Sequence, residues 1–277
     1  MAVDDSYQVT IVKYGARSTV RSDVYLNYPL YGEADASINM DYFVWIIQNK
    51  NRTVIVDTGF SHEGGEARQR TFLLDLPTTY AALGVDPSTS PPVIITHAHY
   101  DHTGNLDYFP TSPVFLANSE YQFWTGRNKA HAQFHHSIEE HDLEAISHAF
   151  DQGRVNLFTG SHLVAPGIEV IQVGGHTPGQ SVVKVNTSDG VVLLASDAIH
   201  YYEEYERGMP FAHVANLVEM YDAFDRIGLM VNSGEVTHLV AGHDPETLGR
   251  FTAVQGELAG LAATIGRIDD NKEKENA

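Results

Sequence analysis

The chain has 277 residues, no cysteine, and 36 acidic against 17 basic residues, which gives a formal charge of −19 at pH 7. Such a field repels phosphate backbones and anionic membrane surfaces, so it argues against nucleic acid and membranes as partners. Without cysteine, disulfides and thiolate-ligated metals are excluded, and any metal site must use His, Asp and Glu.

The first half of the chain alternates strand-like and helix-like stretches. Alternating or continuous apolar runs predict strands at 7–14, 41–48, 53–57, 93–96 and 114–117. We interpret residues 16–40 as a long connection or an extended hairpin over one edge. Apolar residues at helical spacing predict a helix over 66–83, and a further helix begins near Ser119, which we expect to be its N-cap.

The second half repeats this order after an interruption. Residues 126–142 are polar and His-rich, and we interpret them as a lid or insertion. Helices are predicted over 139–151 and 216–230. Strands are predicted near 154–158, 168–173, 181–186, 191–196 and 238–241. We expect residues 1–268 to form a single domain and the charged residues 269–277 to be a frayed tail.

Strands therefore cluster in each half, with helices between them. This order predicts an α/β sandwich of two packed sheets with outer helices. The sequence has no apolar stretch of roughly 20 residues, as a membrane helix needs. Its N-terminus has acidic residues and no long apolar core, unlike a secretory signal, so we expect a cytoplasmic protein.

The segment "THAHYDH" concentrates four side chains that bind metals. His97 and His99 are two residues apart at the end of a strand, so both imidazoles can face one cation. Asp101 and His102 follow at the start of a helix and point in another direction, toward a second cation. A lone histidine is more often an ordinary imidazole than a ligand. Burying four such groups without a cation, however, would leave several polar interactions unsatisfied.

Three further candidates each follow a predicted strand: His176 in "VGGHTPGQS", Asp197 in "LLASDAIH" and His243 in "VAGHDP". Loops at strand ends are held by a rigid scaffold, which suits ligands. Taken together with the "THAHYDH" segment, these residues favour a metal centre over isolated polar side chains.

The motifs "THAHYDH", "GGHTPGQS", "ASDA", "AGHD" and "VDTGF" resemble those of the metallo-β-lactamase superfamily, and most closely its N-acyl-homoserine lactonase-like hydrolases. The resemblance implies an αβ/βα four-layer sandwich of two mixed β-sheets with outer helices. It also implies a two-metal site with Asp57 orienting its ligands. The ligands implied are His97, His99 and His176 for one ion, Asp101, His102 and His243 for the other, and Asp197 between them.

The resemblance further implies a dinuclear hydrolase that opens a lactone ring by attack of metal-bound hydroxide. N-acyl-homoserine lactone, as in quorum quenching, is the favoured substrate, and Asp101 would also move a proton. The cofactor would be two divalent ions, zinc first, with Mn, Fe or Co as alternatives. Lactonases of this family often have tyrosine three residues after the bridging aspartate. Here that position is His200, so His200, Tyr201 or Tyr202 could contact the substrate carbonyl.

Several alternatives stay open. The same site could cleave another lactone, a thioester or a cyclic amide. A further hypothesis is that the chain is a non-hydrolytic di-iron protein. Residues 126–142 contain four histidines, which are His131, His135, His136 and His141. They suggest either a third metal site, or a solvated lid or subunit contact. A homodimer is therefore also left open. Three aromatic residues could line an acyl pocket or pack in the core; they are Phe123, Trp124 and Phe134.

Overall fold

A computed structural model describes residues 5–268 of the chain, and residues 269–277, predicted to be a frayed tail, lie outside it. The helices and strands, in chain order, are β1 Gln8–Val20, α1 Arg21–Val24, β2 Ser37–Asn49, β3 Arg52–Val56, α2 His62–Ala67, β4 Thr71–Phe72, α3 Leu76–Ala82, β5 Val93–Ile94, α4 Tyr100–Thr103, β6 Val114–Ala117, α5 Asn118–Thr125, α6 Ala132–His135, α7 Glu140–Asp151, β7 Val155–Phe158, β8 Ser161–Ala165, β9 Ile168–Gln172, β10 Ser181–Thr187, β11 Gly190–Ser196, α8 Tyr202–Arg207, α9 Leu217–Asn232, β12 His238–Ala241, β13 Thr252–Ala253 and β14 Ala262–Ile265.

The strands form two mixed sheets. The larger has the order β13-β14-β1-β2-β3-β5-β6-β7, with β4 paired to β1, and the smaller has the order β12-β11-β10-β9-β8. Strands β3, β5, β6 and β7 run parallel to one another, as do β11 and β12, whereas the other pairs are antiparallel. Parallel neighbours end at the same edge of a sheet, so the loops that follow them are brought together.

Three apolar layers separate the sheets and helices. On β2, Val44 and Ile46 face the layer beneath the helices, whereas Trp45 and Ile47 face the layer between the two sheets, as the two-residue period of a strand requires. The third layer lies between the smaller sheet and α9, which contributes Met220. Helix, sheet, sheet and helix are thus stacked in that order, and the αβ/βα four-layer sandwich predicted from the sequence is confirmed.

Several elements differ from those predicted from the sequence. Residues 16–40 largely extend the β1–β2 hairpin, which is the second of the two interpretations, because the pairing continues from Gln8↔Gln48 to Val20↔Ser37. The helix predicted over 66–83 is wrong. The chain turns at Gln69, whose φ of 56° breaks helical geometry, and a new helix begins after Asp75, which caps α3 by accepting from the backbone N–H of Thr78.

Besides β4, which lies within the wrongly predicted helix, three strands were missed because they are short and lack an apolar period; they are β8, β13 and β14. Ser119 was also misassigned. It lies inside α5, and its hydroxyl donates to the carbonyl of Pro178 instead of capping the helix. Within residues 5–268, no helix is both long enough and apolar enough to cross a membrane.

Candidate metal centre

The side chains singled out in the sequence converge at one edge of the sandwich. His97 and His99 follow β5, Asp197 directly follows β11, and His243 lies two residues beyond β12. A Cβ at Gly242 would lie 2.5 Å from the carbonyl oxygen of Ser196. Only glycine therefore lets the end of β12 approach β11 this closely, which places His243 beside Asp197.

One group of possible ligands comprises His97, His99, His176 and Asp197, all buried, with ligand atoms within 4.8 Å of one another. Nε2 of His176 lies 2.9 Å from Nδ1 of His99 and 3.3 Å from Oδ2 of Asp197. Nε2 of His97 lies 3.6 Å from the same oxygen. Two imidazoles of this group thus lie beside one oxygen of the Asp197 carboxylate, and the third, His99, lies against His176.

The second group comprises Asp101, His102 and His243, which are also buried. Nε2 of His102 lies 3.2 Å from Oδ1 of Asp197, and Nε2 of His243 lies 3.0 Å from it. Both nitrogens are 3.8 Å from Oδ2 of Asp101. The two oxygens of Asp197 therefore face different groups, an arrangement in which one carboxylate can lie between two cations.

The electrostatics of the first group favour neutral imidazoles. Burial, together with neighbouring histidines, holds the pKa values of His97, His99 and His176 well below their usual range. Burial raises the pKa of Asp197, but the surrounding histidines, beginning with His243, outweigh burial and hold it well below its usual range. Neutral imidazole and ionised carboxylate are the forms that bind metals.

Hydrogen bonds on the far side of the rings fix how the second group points. Nδ1 of His102 donates to Oδ2 of Asp57 at 2.7 Å, and Nδ1 of His243 donates to the carbonyl oxygen of Asp41 at 2.7 Å. Asp57 also accepts from the backbone N–H and hydroxyl of Thr96. Each imidazole therefore presents Nε2 to the centre, as histidine ligands do when a second partner holds the ring.

Glu120 was not identified from the sequence, yet it joins two loops of the centre. Its fully buried carboxylate accepts from the backbone N–H of Ala98 at 2.9 Å, the backbone N–H of Gly179 at 2.8 Å and the indole N–H of Trp124 at 2.7 Å. Ala98 lies between His97 and His99, and Gly179 is three residues after His176. No local motif marks this residue, because its backbone partners lie 22 and 59 positions away.

Of the three candidates after Asp197, His200 is the one that lines the cavity at the centre. Its ring stacks on Phe211 at 3.8 Å between centroids, and Nδ1 lies 3.1 Å from the buried carboxylate of Glu204. Nε2 lies 3.1 Å from Oδ2 of Asp197 without the alignment of a hydrogen bond. Burial lowers the pKa of His200, but these two carboxylates outweigh burial and raise it to about 9.

The neighbouring tyrosines are turned away from the cavity. The hydroxyl of Tyr201 donates to the carbonyl of Asn39 at 3.1 Å, and that of Tyr202 donates to the carbonyl of Leu239 at 3.2 Å. These hydrogen bonds tie the two tyrosines to β2 and β12. Of these three residues, His200 alone lines the cavity formed within residues 5–268.

The other histidines and the aromatic residues play different parts. None of the four histidines of 126–142 belongs to a metal-ligand group among residues 5–268. His136 lines the mouth of the cavity, beside Ser137. Trp124 is buried and Phe123 packs against the same core, whereas Phe134 also borders a neighbouring cavity. Core packing, the second of the two interpretations, describes Phe123 and Trp124.

The residues present suit divalent cations. Nε2 of His97 and Nε2 of His102 are buried without a hydrogen-bond partner, and both lie near Asp197. A buried polar atom left without a partner is unfavourable, and a cation at this point would satisfy both nitrogens. The donor set of imidazoles and carboxylates is the one that zinc and its neighbours bind.

The chain is similar to proteins of one known family. The family model of the Metallo-beta-lactamase superfamily matches residues 40–227. An N-acyl homoserine lactonase of Bacillus cereus is 25% identical over 190 residues, covering 63% of this chain and 70% of the relative.

Solved structures show the same fold. A crystal structure of a quorum-quenching N-acyl homoserine lactone lactonase superposes with a TM-score of 0.73 at 19% identity, covering 88% of this chain and 94% of the other. An N-acyl homoserine lactone hydrolase with N-hexanoyl-L-homoserine at its catalytic metal centre has a TM-score of 0.71 at 18% identity, covering 87% and 94%. The chain belongs to the metallo-beta-lactamase superfamily and is a metal-dependent hydrolase.

Proposed function

We propose that this chain opens lactone rings with two divalent cations, zinc first, held side by side. The observation that carries the proposal is that the two oxygens of Asp197 face two separate groups of ligand atoms. In the proposed arrangement, His97, His99 and His176 would hold one ion, Asp101, His102 and His243 would hold the other, and Asp197 would be shared between them.

Such a pair of cations, when bound, would acidify a water molecule and polarise a carbonyl oxygen. The chain's residues then position the substrate and move the proton. Asp101 is 8% exposed and lines the cavity, so its carboxylate can take a proton from the nucleophile and return it to the leaving alkoxide. Tyr14 donates to the backbone carbonyl of Asp101 at 2.9 Å and steadies this residue.

His200 takes the place that tyrosine has in many lactonases. His200 lines the cavity with Nδ1 held by Glu204, and an N–H at Nε2, which lies 3.1 Å from Oδ2 of Asp197, would donate to the oxygen of the opening ring. Removing such a donor typically lowers kcat by about 10²- to 10³-fold. His200→Gln retains a donor and should lose less activity than His200→Ala, with the metal content of both variants measured to separate this role from ligand loss.

The function is tested with purified protein loaded with zinc, manganese, iron or cobalt in turn. Carboxylate release from a lactone panel that includes N-acyl homoserine lactones is measured beside a thioester and a β-lactam. We expect lactones to be cleaved fastest and a chelator to abolish the activity. His97→Ala should remove activity and bound metal, whereas the matched control His141→Ala, at an exposed position, should retain both.

Three results would contradict the proposal. Loaded protein that leaves every lactone intact would refute lactone opening. Faster cleavage of the thioester or the β-lactam would move the assignment to that bond. Two bound irons with a charge-transfer absorption band, and no hydrolysis, would indicate a redox centre.

A further inference from the structure

The cavity above the centre is small and basic. Its volume is about 160 Å³, below the roughly 300–1,000 Å³ of typical ligand pockets, so it accepts a small substrate or the reacting end of a larger one. Three arginines line it, Arg17, Arg68 and Arg70, in a chain whose formal charge is −19. Its only acidic lining residues, among residues 5–268, are Asp101 and Asp197, which face the histidine nitrogens of the centre.

One of the three arginines already has an ion-pair partner and hydrogen-bond acceptors within the protein. Arg68 forms an ion pair with Glu139 and donates to the backbone carbonyls of His136 and Ile138. Its guanidinium also lies 4.0 Å from the centroid of the Tyr100 ring. Arg68 therefore fastens the segment that follows α6 at the mouth of the cavity, and its charge is already balanced.

The other two have no carboxylate partner within residues 5–268. Arg70 donates from Nε to the hydroxyl of Tyr100 at 2.9 Å and from Nη1 to the carbonyl of Arg68 at 2.7 Å, which leaves Nη2 unused. The side chain of Arg17 has no hydrogen bond or ion pair in that part of the chain, and its Nε is buried without a partner. It extends from β1 opposite Met40, which lines the same cavity.

Within residues 5–268, Arg17 and Arg70 are half-buried and have no carboxylate partner, so their guanidinium groups favour the binding of an anion. Partial burial of a charge is unfavourable unless it is paired, and the planar fork of arginine matches the oxygens of carboxylate and phosphate. The two come from different elements, β1 and the loop after α2, so they converge on the cavity because of the fold. The neutral acyl homoserine lactones offer no such group.

We propose that Arg17 and Arg70 bind a carboxylate or phosphate group on the substrate, so that the enzyme prefers anionic lactones to neutral ones. This inference rests on the proposed lactone hydrolysis and specifies its substrate class. The anionic group would sit at the cavity wall formed by β1 and the loop after α2, while the lactone carbonyl meets the metal centre.

The test compares γ-butyrolactone with its carboxylated counterpart and with a phosphorylated hydroxymethyl derivative. We expect kcat/KM for the preferred anionic lactone to exceed that for the neutral ring by at least tenfold in the wild type. Arg17→Gln should remove most of that preference through KM, so that the kcat/KM ratio of the anionic to the neutral lactone falls toward one. Arg17 is the main target because its guanidinium bonds to nothing in residues 5–268, so its loss should disturb the fold least.

Two controls accompany it. Arg127→Gln removes the same charge from an exposed position and should change nothing. Arg70→Lys keeps the charge but loses the fork, and should weaken the preference less than Arg70→Gln. Which anionic lactone is favoured separates carboxylate from phosphate.

A binding measurement separates failure of the inference from failure of the function. Tetrahydrofuran-2-carboxylate, which has no ester bond, is titrated calorimetrically into metal-loaded protein beside the neutral tetrahydrofurfuryl alcohol. Tighter binding of the acid, lost in Arg17→Gln, supports the anion site even if no lactone is cleaved. Cleavage of lactones with equal rates on neutral and anionic rings, and no effect of Arg17→Gln, overturns the inference and leaves the function standing. An effect of Arg17→Gln on product inhibition alone would also overturn it.

Discussion

Glu120 should control the metal centre without touching a cation. Its carboxylate holds the backbone of Ala98 and of Gly179, which belong to the loops that carry three ligands of the first group. Glu120→Ala removes the acceptor of three N–H groups at a fully buried site. Each unsatisfied donor costs about 1–3 kcal/mol, so we expect a loss of roughly 3–9 kcal/mol in the free energy of unfolding.

That loss is a large part of the about 5–15 kcal/mol that stabilises a typical domain. Glu120→Gln keeps one acceptor oxygen but points an NH₂ group at a donor, so its loss should be roughly 2 kcal/mol. Metal affinity at the first group should fall by about 10- to 100-fold, as it does when groups that hold ligands are removed. Chelator competition and chemical denaturation measure the two quantities.

Gln122→Ala is the matched control, since it is an exposed residue on the same helix. It should change the free energy of unfolding by less than about 0.5 kcal/mol. A Glu120→Ala protein with unchanged metal affinity, and a loss of stability below about 1 kcal/mol, would refute the idea that this carboxylate holds the two loops.

Three further outcomes are expected. Asp57→Asn should weaken metal binding by about 10- to 100-fold with little loss of fold, because asparagine tolerates the positive φ of 59° at this position; unchanged affinity in chelator competition would contradict this. Burial raises the pKa of Asp142 from 3.8 to about 7, so its contribution to stability is present below about pH 4 and is lost as the pH rises through 7. Asp142→Asn should therefore gain roughly 4 kcal/mol at pH 8 and nothing near pH 4, measured by denaturation at both values. Removing metal should lower the unfolding temperature of the wild type, but much less that of His97→Ala.

The ligand positions were readable from the sequence because each is local. His176, Asp197 and His243 each follow a strand, with a glycine directly before both histidines, and the structure brings these residues together with the "THAHYDH" segment. The roles of Glu120 and Arg17 could not be predicted from the sequence, because they depend on which residues the fold places beside them. The helix over 66–83 failed for a related reason: Phe72, which fits the apolar helical spacing, lies in β4, and its pairing with β1 depends on residues far away in the sequence.

The acidic surface and the basic cavity affect different kinds of anion: the surface repels a long polyanion, whereas the cavity attracts a small anion. Charges spread over the surface are screened beyond about 8 Å at physiological ionic strength, whereas half-buried charges are screened much less. A long polyanion must lie against the surface and meets the full field of the 36 acidic side chains. A small anion that enters the cavity meets Arg17 and Arg70 at close range, with Asp101 and Asp197 offset by any bound cations. The charge of −19 therefore argues against nucleic acid and is compatible with an anionic lactone.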